Sequence, residues 1–145
     1  MTRFYSMRTW QALLLLGVLE TLCIGVGMGV PVFAILLGFP VGWWLARRHA
    51  PDGHVTRAVL RRVWTGALVP ASMTLAFMLV IWAPKFSLLS EPGFDAAEWG
   101  IPLVLYTSRA SFFGWMGLMI VVSPSLQLLA TVFGAYATLL VRAPE

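Results

Sequence analysis

The chain has 145 residues, of which 59% are hydrophobic and 11% charged, against about 45–50% and about 25% in soluble domains. Together with a mean hydropathy of +0.84 and a net charge of +4, this excludes a disordered chain, a soluble enzyme and an ordinary nucleic-acid binder. A single cysteine excludes an internal disulfide framework.

From Thr9 to Ala46 the only charge is Glu20. One straight helix over these 38 residues would run about 57 Å, nearly twice a hydrocarbon core of about 30 Å. Gly25, Gly27 and Gly29 precede Pro31, and proline is favoured in the first turn of a new helix. The pattern therefore predicts a hairpin with spans near 10–28 and 31–46. Trp43 and Trp44 suit the interface at the end of the second arm, where Arg47 and Arg48 reach headgroups.

Residues 47–62 form a basic connection, and Val63 to Pro84 is a third span without a charge. An acidic, turn-rich stretch holding Glu91, Asp95 and Glu98 follows, within an expected outer loop over 85–110. Pro92 suits the first turn of a short helix there, whose N-terminus the acids complement. The last span is expected near 111–141, long and kinked at Pro124. Splitting it in two at Ser123–Ser125 would place Arg142 outside with no charge to anchor the turn.

With four spans, Arg3, Arg8, Arg47, Arg48, Arg57, Arg61, Arg62 and Arg142 fall on one side, Lys85 and Arg109 on the other. Under the positive-inside rule the first side is cytoplasmic. The expectation is an all-α, polytopic helical membrane protein with four transmembrane helices in two hairpins. It forms one domain over 1–145, in an inner or plasma membrane, with both termini cytoplasmic. Glu20 interrupts the first apolar run and no small-residue cleavage site follows, so that run reads as a span rather than a signal peptide.

Glu20 falls midway along its span, where an ionised carboxylate costs several kcal/mol. A protonated carboxyl pairing with Gln127 across the bundle satisfies both groups. Gln127 belongs to a stripe of Ser123, Gln127, Thr131, Gly134 and Thr138, spaced for one helix face that turns inward or toward another chain. Ser72 and Thr74 lie at similar depth; the candidate polar site is Glu20, Ser72, Gln127 and Thr131.

Gly25-x3-Gly29, Gly38-x3-Gly42 and Ala130-x3-Gly134 have the spacing that lets helices approach closely. Val55, Val59 and Val63 share one face of an amphipathic lead-in to the third span. Arg47, Arg48, Arg57, Arg61 and Arg62 are candidate contacts for anionic headgroups. His49 and His54 flank Asp52 in a turn with no further ligand, so no metal is expected. Cys23 reads as an apolar filler.

No catalytic or cofactor motif is present, and both histidines share one surface loop, so neither catalysis nor a cofactor is expected. The expected partners are the bilayer with its anionic headgroups, and a second copy or other membrane subunits; nucleic acid is not expected. The favoured function is a non-catalytic membrane protein packing with itself or as an accessory subunit of a larger complex. The alternative is a small oligomeric transporter or channel using Glu20 as a proton or cation site.

Overall fold

The computed structural model describes residues 8–27, 29–50, 54–90 and 109–142. Among them there is no strand. The helices are α1 (Thr9–Val26), α2 (Val32–His49), α3 (Arg57–Trp82), α4 (Arg109–Gly117) and α5 (Ser123–Arg142). A 3-10 segment, Ala83–Ser90, extends α3, and a π turn, Leu118–Val122, joins α4 to α5 without reversing the chain.

Three stretches are long and apolar enough to cross a membrane: Thr9–Val26, Arg57–Ser87 and Ala110–Arg142. The helix α2, expected as a fourth span, is not among them, because its last turn carries Arg47, Arg48 and His49. The hairpin turn lies where expected. Gly29 has φ +84, a left-handed conformation open to glycine. A Cβ on Gly27 would stand 2.1 Å from the Val30 carbonyl oxygen. Pro31 is buried at the start of α2.

The connection expected over 47–62 is shorter in the structure. Helix α2 continues through His49, and α3 begins at Arg57 behind the Thr56 cap, whose side chain accepts from the Val59 N–H at 3.2 Å. Arginine is a good helix former, so the basic residues extend the helices rather than end them. Val59 and Val63 are buried on the inner face, whereas Val55 precedes the helix and is exposed.

The core is organised around α2 and α5, the most extensive helix pair. A Cβ on Gly42 would lie 2.0 Å from the Thr131 carbonyl oxygen, and one on Gly134 2.6 Å from that of Phe39. The Gly38/Gly42 and Ala130/Gly134 pairs thus bring α2 and α5 into backbone contact within the monomer. Gly25 has nothing within 4 Å of its Cβ position, and Gly29 belongs to the turn, so this third pair packs no helices inside the chain. Two apolar clusters complete the core. One joins Ile24, Ala34, Met78, Trp82, Phe112 and Met116 near the hairpin turn; the other joins Ala46, Val59, Val63, Ala135 and Leu139 at the basic end.

The break expected as a kink at Pro124 takes the form of the π turn just before it. Proline has no N–H and its ring crowds the carbonyl four residues back; a π turn aims carbonyls one residue further along. Both the Ser123 N–H and its hydroxyl donate to the Leu118 carbonyl, the latter at 3.0 Å, and the Ser125 hydroxyl donates to that of Val121 at 2.8 Å.

Candidate functional site

Glu20 and Ile24, one turn apart, are the buried residues of α1. Glu20 is 0% exposed, and its level lies between the two apolar clusters, as the order of residues along α3 and α5 shows. Both carboxyl oxygens are engaged. The Thr74 hydroxyl on α3 donates to one at 2.9 Å, and the Gln127 amide on α5 donates to the other. Three helices distant in sequence converge on one carboxyl.

Gln127, Thr74 and Thr131 are also fully buried. Thr131 stands one turn beyond Gln127, and its hydroxyl donates at 2.8 Å to the Gln127 carbonyl, not to Glu20. Gly38 closes the site from α2; a Cβ there would lie 2.9 Å from both the Gln127 carbonyl oxygen and the Thr131 hydroxyl. The Gln127 side-chain oxygen is buried and has no hydrogen-bond partner among the described residues. The hydroxyl of Thr74 can equally accept a hydrogen bond from a protonated Glu20, so the heavy-atom arrangement accommodates a protonated carboxyl.

Ser72 does not join this cluster. It is exposed, and its hydroxyl donates to the Leu68 carbonyl of its own helix. Two residues along a helix turn it by about 200°, which sets Ser72 and Thr74 on opposite sides of α3. Thr74 shares its face with Val63, Ala67, Ala71, Met78 and Trp82, and that apolar ladder is the sequence signal that singles it out over Ser72.

The five arginines gather at the other end of α2 and α3. The Arg47 guanidinium lies 4.7 Å from the Trp43 ring centre and that of Arg48 4.9 Å from Trp44. Arg48 Nη2 also donates to the Thr9 hydroxyl at 3.3 Å, tying α2 to the start of α1. Arg57, Arg61 and Arg62 are exposed on the first turns of α3. His49 is half-buried beside them, and His54 is exposed. Among the described residues no group of three or more His, Cys, Asp or Glu is placed to hold a metal. Cys23 is half-buried against the cluster of Ile24 and Met78.

Glu91, Asp95, Glu98, Asp52, Arg3 and the side chain of Arg109 lie outside the described residues. The chain matches no protein-family model, and neither curated proteins nor solved structures show significant similarity to it.

Proposed function

We propose that this chain is a non-catalytic integral membrane protein that packs with itself or as an accessory subunit of a larger membrane complex. In this reading α2 completes four spans, the termini and the arginine-rich end are cytoplasmic, and the Lys85 end faces outward, following the basic asymmetry of the sequence. The observation that carries it is the engagement of Glu20. Both oxygens of the one acidic side chain among the described residues are taken up in joining α1 to α3 and α5. A carboxyl used this way is helix glue.

The outer side of α1 supports the same reading. Leu14, Val18, Leu22 and Val26, at steps of four, form an exposed apolar ridge suited to lipid or a neighbouring helix. The mass of the particle extracted in mild detergent, with any co-purifying chains, tests this reading. A multiple of the chain mass, or a defined partner, supports it; a lone monomer overturns it.

One observation favours a second reading, a small oligomeric transporter or channel. The unpartnered Gln127 side-chain oxygen beside Glu20 is a spare acceptor for a cation or a proton-carrying water. Glu20→Gln separates the two. A transporter loses pH-dependent flux in vesicles, whereas a packing subunit assembles as before.

A further inference from the structure

A crevice opens between α1, α2 and α3 toward the basic end of the molecule. It encloses about 210 Å³ among Ala12, Leu16, Val41, Trp44 and Val69, with Arg48 and His49 at its mouth. A second cavity of about 210 Å³ between α1 and α2 shares Ala12, Leu16, Val41 and Trp44 with the first and continues to Leu19 and Leu37. The second adjoins the first across these shared residues; the first is an apolar furrow along α1, which touches its neighbours less than α2 or α3 do.

The mouth of this furrow is cationic. Arg48 is held there by its stacking on Trp44 and its bond to Thr9, yet its Nη1 is buried and has no acceptor among the described residues. Arg48 as a whole is half-buried rather than sealed, and a guanidinium fixed on an aromatic ring presents a planar fork that suits phosphate oxygens. Glu20 is the sole acidic residue among the described residues, and both its oxygens are engaged elsewhere.

We infer that the furrow holds one anionic phospholipid, with an acyl chain along Ala12, Leu16 and Val41 and the phosphate on Arg48. The long apolar lining fits a chain rather than a soluble anion, and the guanidinium at its membrane-surface end fits a charged headgroup. This rests on the membrane reading above and adds a lipid class and a place for it. The bound lipid fills the space that α1 leaves open and bridges α1 to α2.

Native mass spectrometry of the detergent-purified protein tests it, with phosphatidylglycerol, phosphatidylcholine or glycerol 3-phosphate added. The expected result is one retained phosphatidylglycerol, with about tenfold weaker retention of phosphatidylcholine and no competition from glycerol 3-phosphate. Arg48→Gln should lose about tenfold in phosphatidylglycerol affinity, with Arg48→Lys recovering part of it. Ala12→Phe, which fills the furrow and leaves Arg48 in place, should lose the lipid as well. Equal retention of the two lipids, or an unchanged affinity in both Arg48→Gln and Ala12→Phe, overturns the site. Tight binding of glycerol 3-phosphate alone makes it a phosphate site and overturns the lipid assignment. A protein recovered without detergent fails the membrane reading itself, which is a separate outcome.

Discussion

The side-chain amide of Gln127 on α5 donates to the carboxyl of Glu20 on α1, a residue 107 positions earlier in the chain. It joins the first helix to the last. Thr74 makes the matching bond from α3. The least embedded helix of the bundle is thereby pinned at its midpoint by polar contacts.

The expected consequence is a graded response at position 20. Hydrogen bonds inside membranes average about 0.6 kcal/mol, so Glu20→Gln, whose amide oxygen accepts from Gln127 while its NH2 donates to the Thr74 hydroxyl, should shift stability by less than about 1 kcal/mol. Glu20→Leu leaves two buried polar side chains without their partner, at about 1–3 kcal/mol each. Gln127→Leu in the Glu20→Leu background should recover part of that loss. Denaturant titration in detergent measures all three. Equal costs for Glu20→Gln and Glu20→Leu would show that the bonds contribute little.

Two glycines of similar sequence context should behave oppositely. Gly42→Ala forces a Cβ against the Thr131 carbonyl, 2.0 Å away, and overpacking of this kind costs about 1–3 kcal/mol or more. Gly25→Ala meets nothing within 4 Å and gains helix propensity of about 0.5–1 kcal/mol. Thermal midpoints of the two variants should fall on either side of the parent. A destabilised Gly25→Ala would reveal a neighbour packed on that face, which is also the exposed side of α1.

The hairpin turn, the inward polar stripe and the long apolar runs were legible in the sequence because each follows from local chemistry. Glycine before proline ends a helix, spacing sets a face, and an uncharged run fits a bilayer. Gln127 and Glu20 could be matched by depth, since both stand mid-run. Ser72 misled because depth alone does not give helix phase; the buried ladder from Val63 to Trp82 does, and it selects Thr74. The α2–α5 seam was not separable from self-association, because Gly38-x3-Gly42 reads the same whichever helix it meets. The π turn was hidden as well. Proline announces a fault in the ladder, but neighbouring packing decides what form that fault takes.

Orientation is open to direct measurement. Cysteines placed at positions 52 and 95 in a Cys23→Ser background should react with a membrane-impermeant maleimide from opposite sides, position 52 from the cytoplasm. The ground is the eight arginines on one side against Lys85 and Arg109 on the other. Labelling of both positions from the same face would mean that α3 does not cross, and the four-span arrangement would fall.

A π turn amounts to one extra residue in a helix, so removing one should restore an α register without rotating α4 relative to α5. Phe112 and Met116 are buried above the turn, Met119 within it, and Gln127 and Thr131 below it. Deletion of the exposed Val121, combined with Pro124→Ala to remove the ring clash, should keep both sets inside the bundle. Deletion of Val132 within α5 instead swings the residues after it by about 100° against those before it, so that Ala135 and Leu139 no longer share the buried face of Gln127 and Thr131. Unfolding midpoints in detergent should therefore show the first deletion tolerated and the second severe. Comparable losses would show that the turn serves a purpose beyond register.

The last expectation concerns pH. His49 lies beyond the proposed 31–46 span, at the basic end of α2, and burial, then the charges of Arg48 and Arg62, hold its imidazole below its ordinary value of 6.5. As pH falls through that value the unfolded chain takes up the proton first, while the folded chain resists it. In the interval between the two pKa values the unfolded state binds more protons, so stability falls with falling pH and is complete only above about pH 7. The thermal midpoint in detergent should thus decline as the pH falls below about 7. His49→Gln removes the titrating group but keeps a hydrogen-bonding side chain of similar reach, and its profile should be flatter over the same interval. Parallel profiles for the parent and His49→Gln would show that another group carries the acid sensitivity, and that His49 is as readily protonated folded as unfolded.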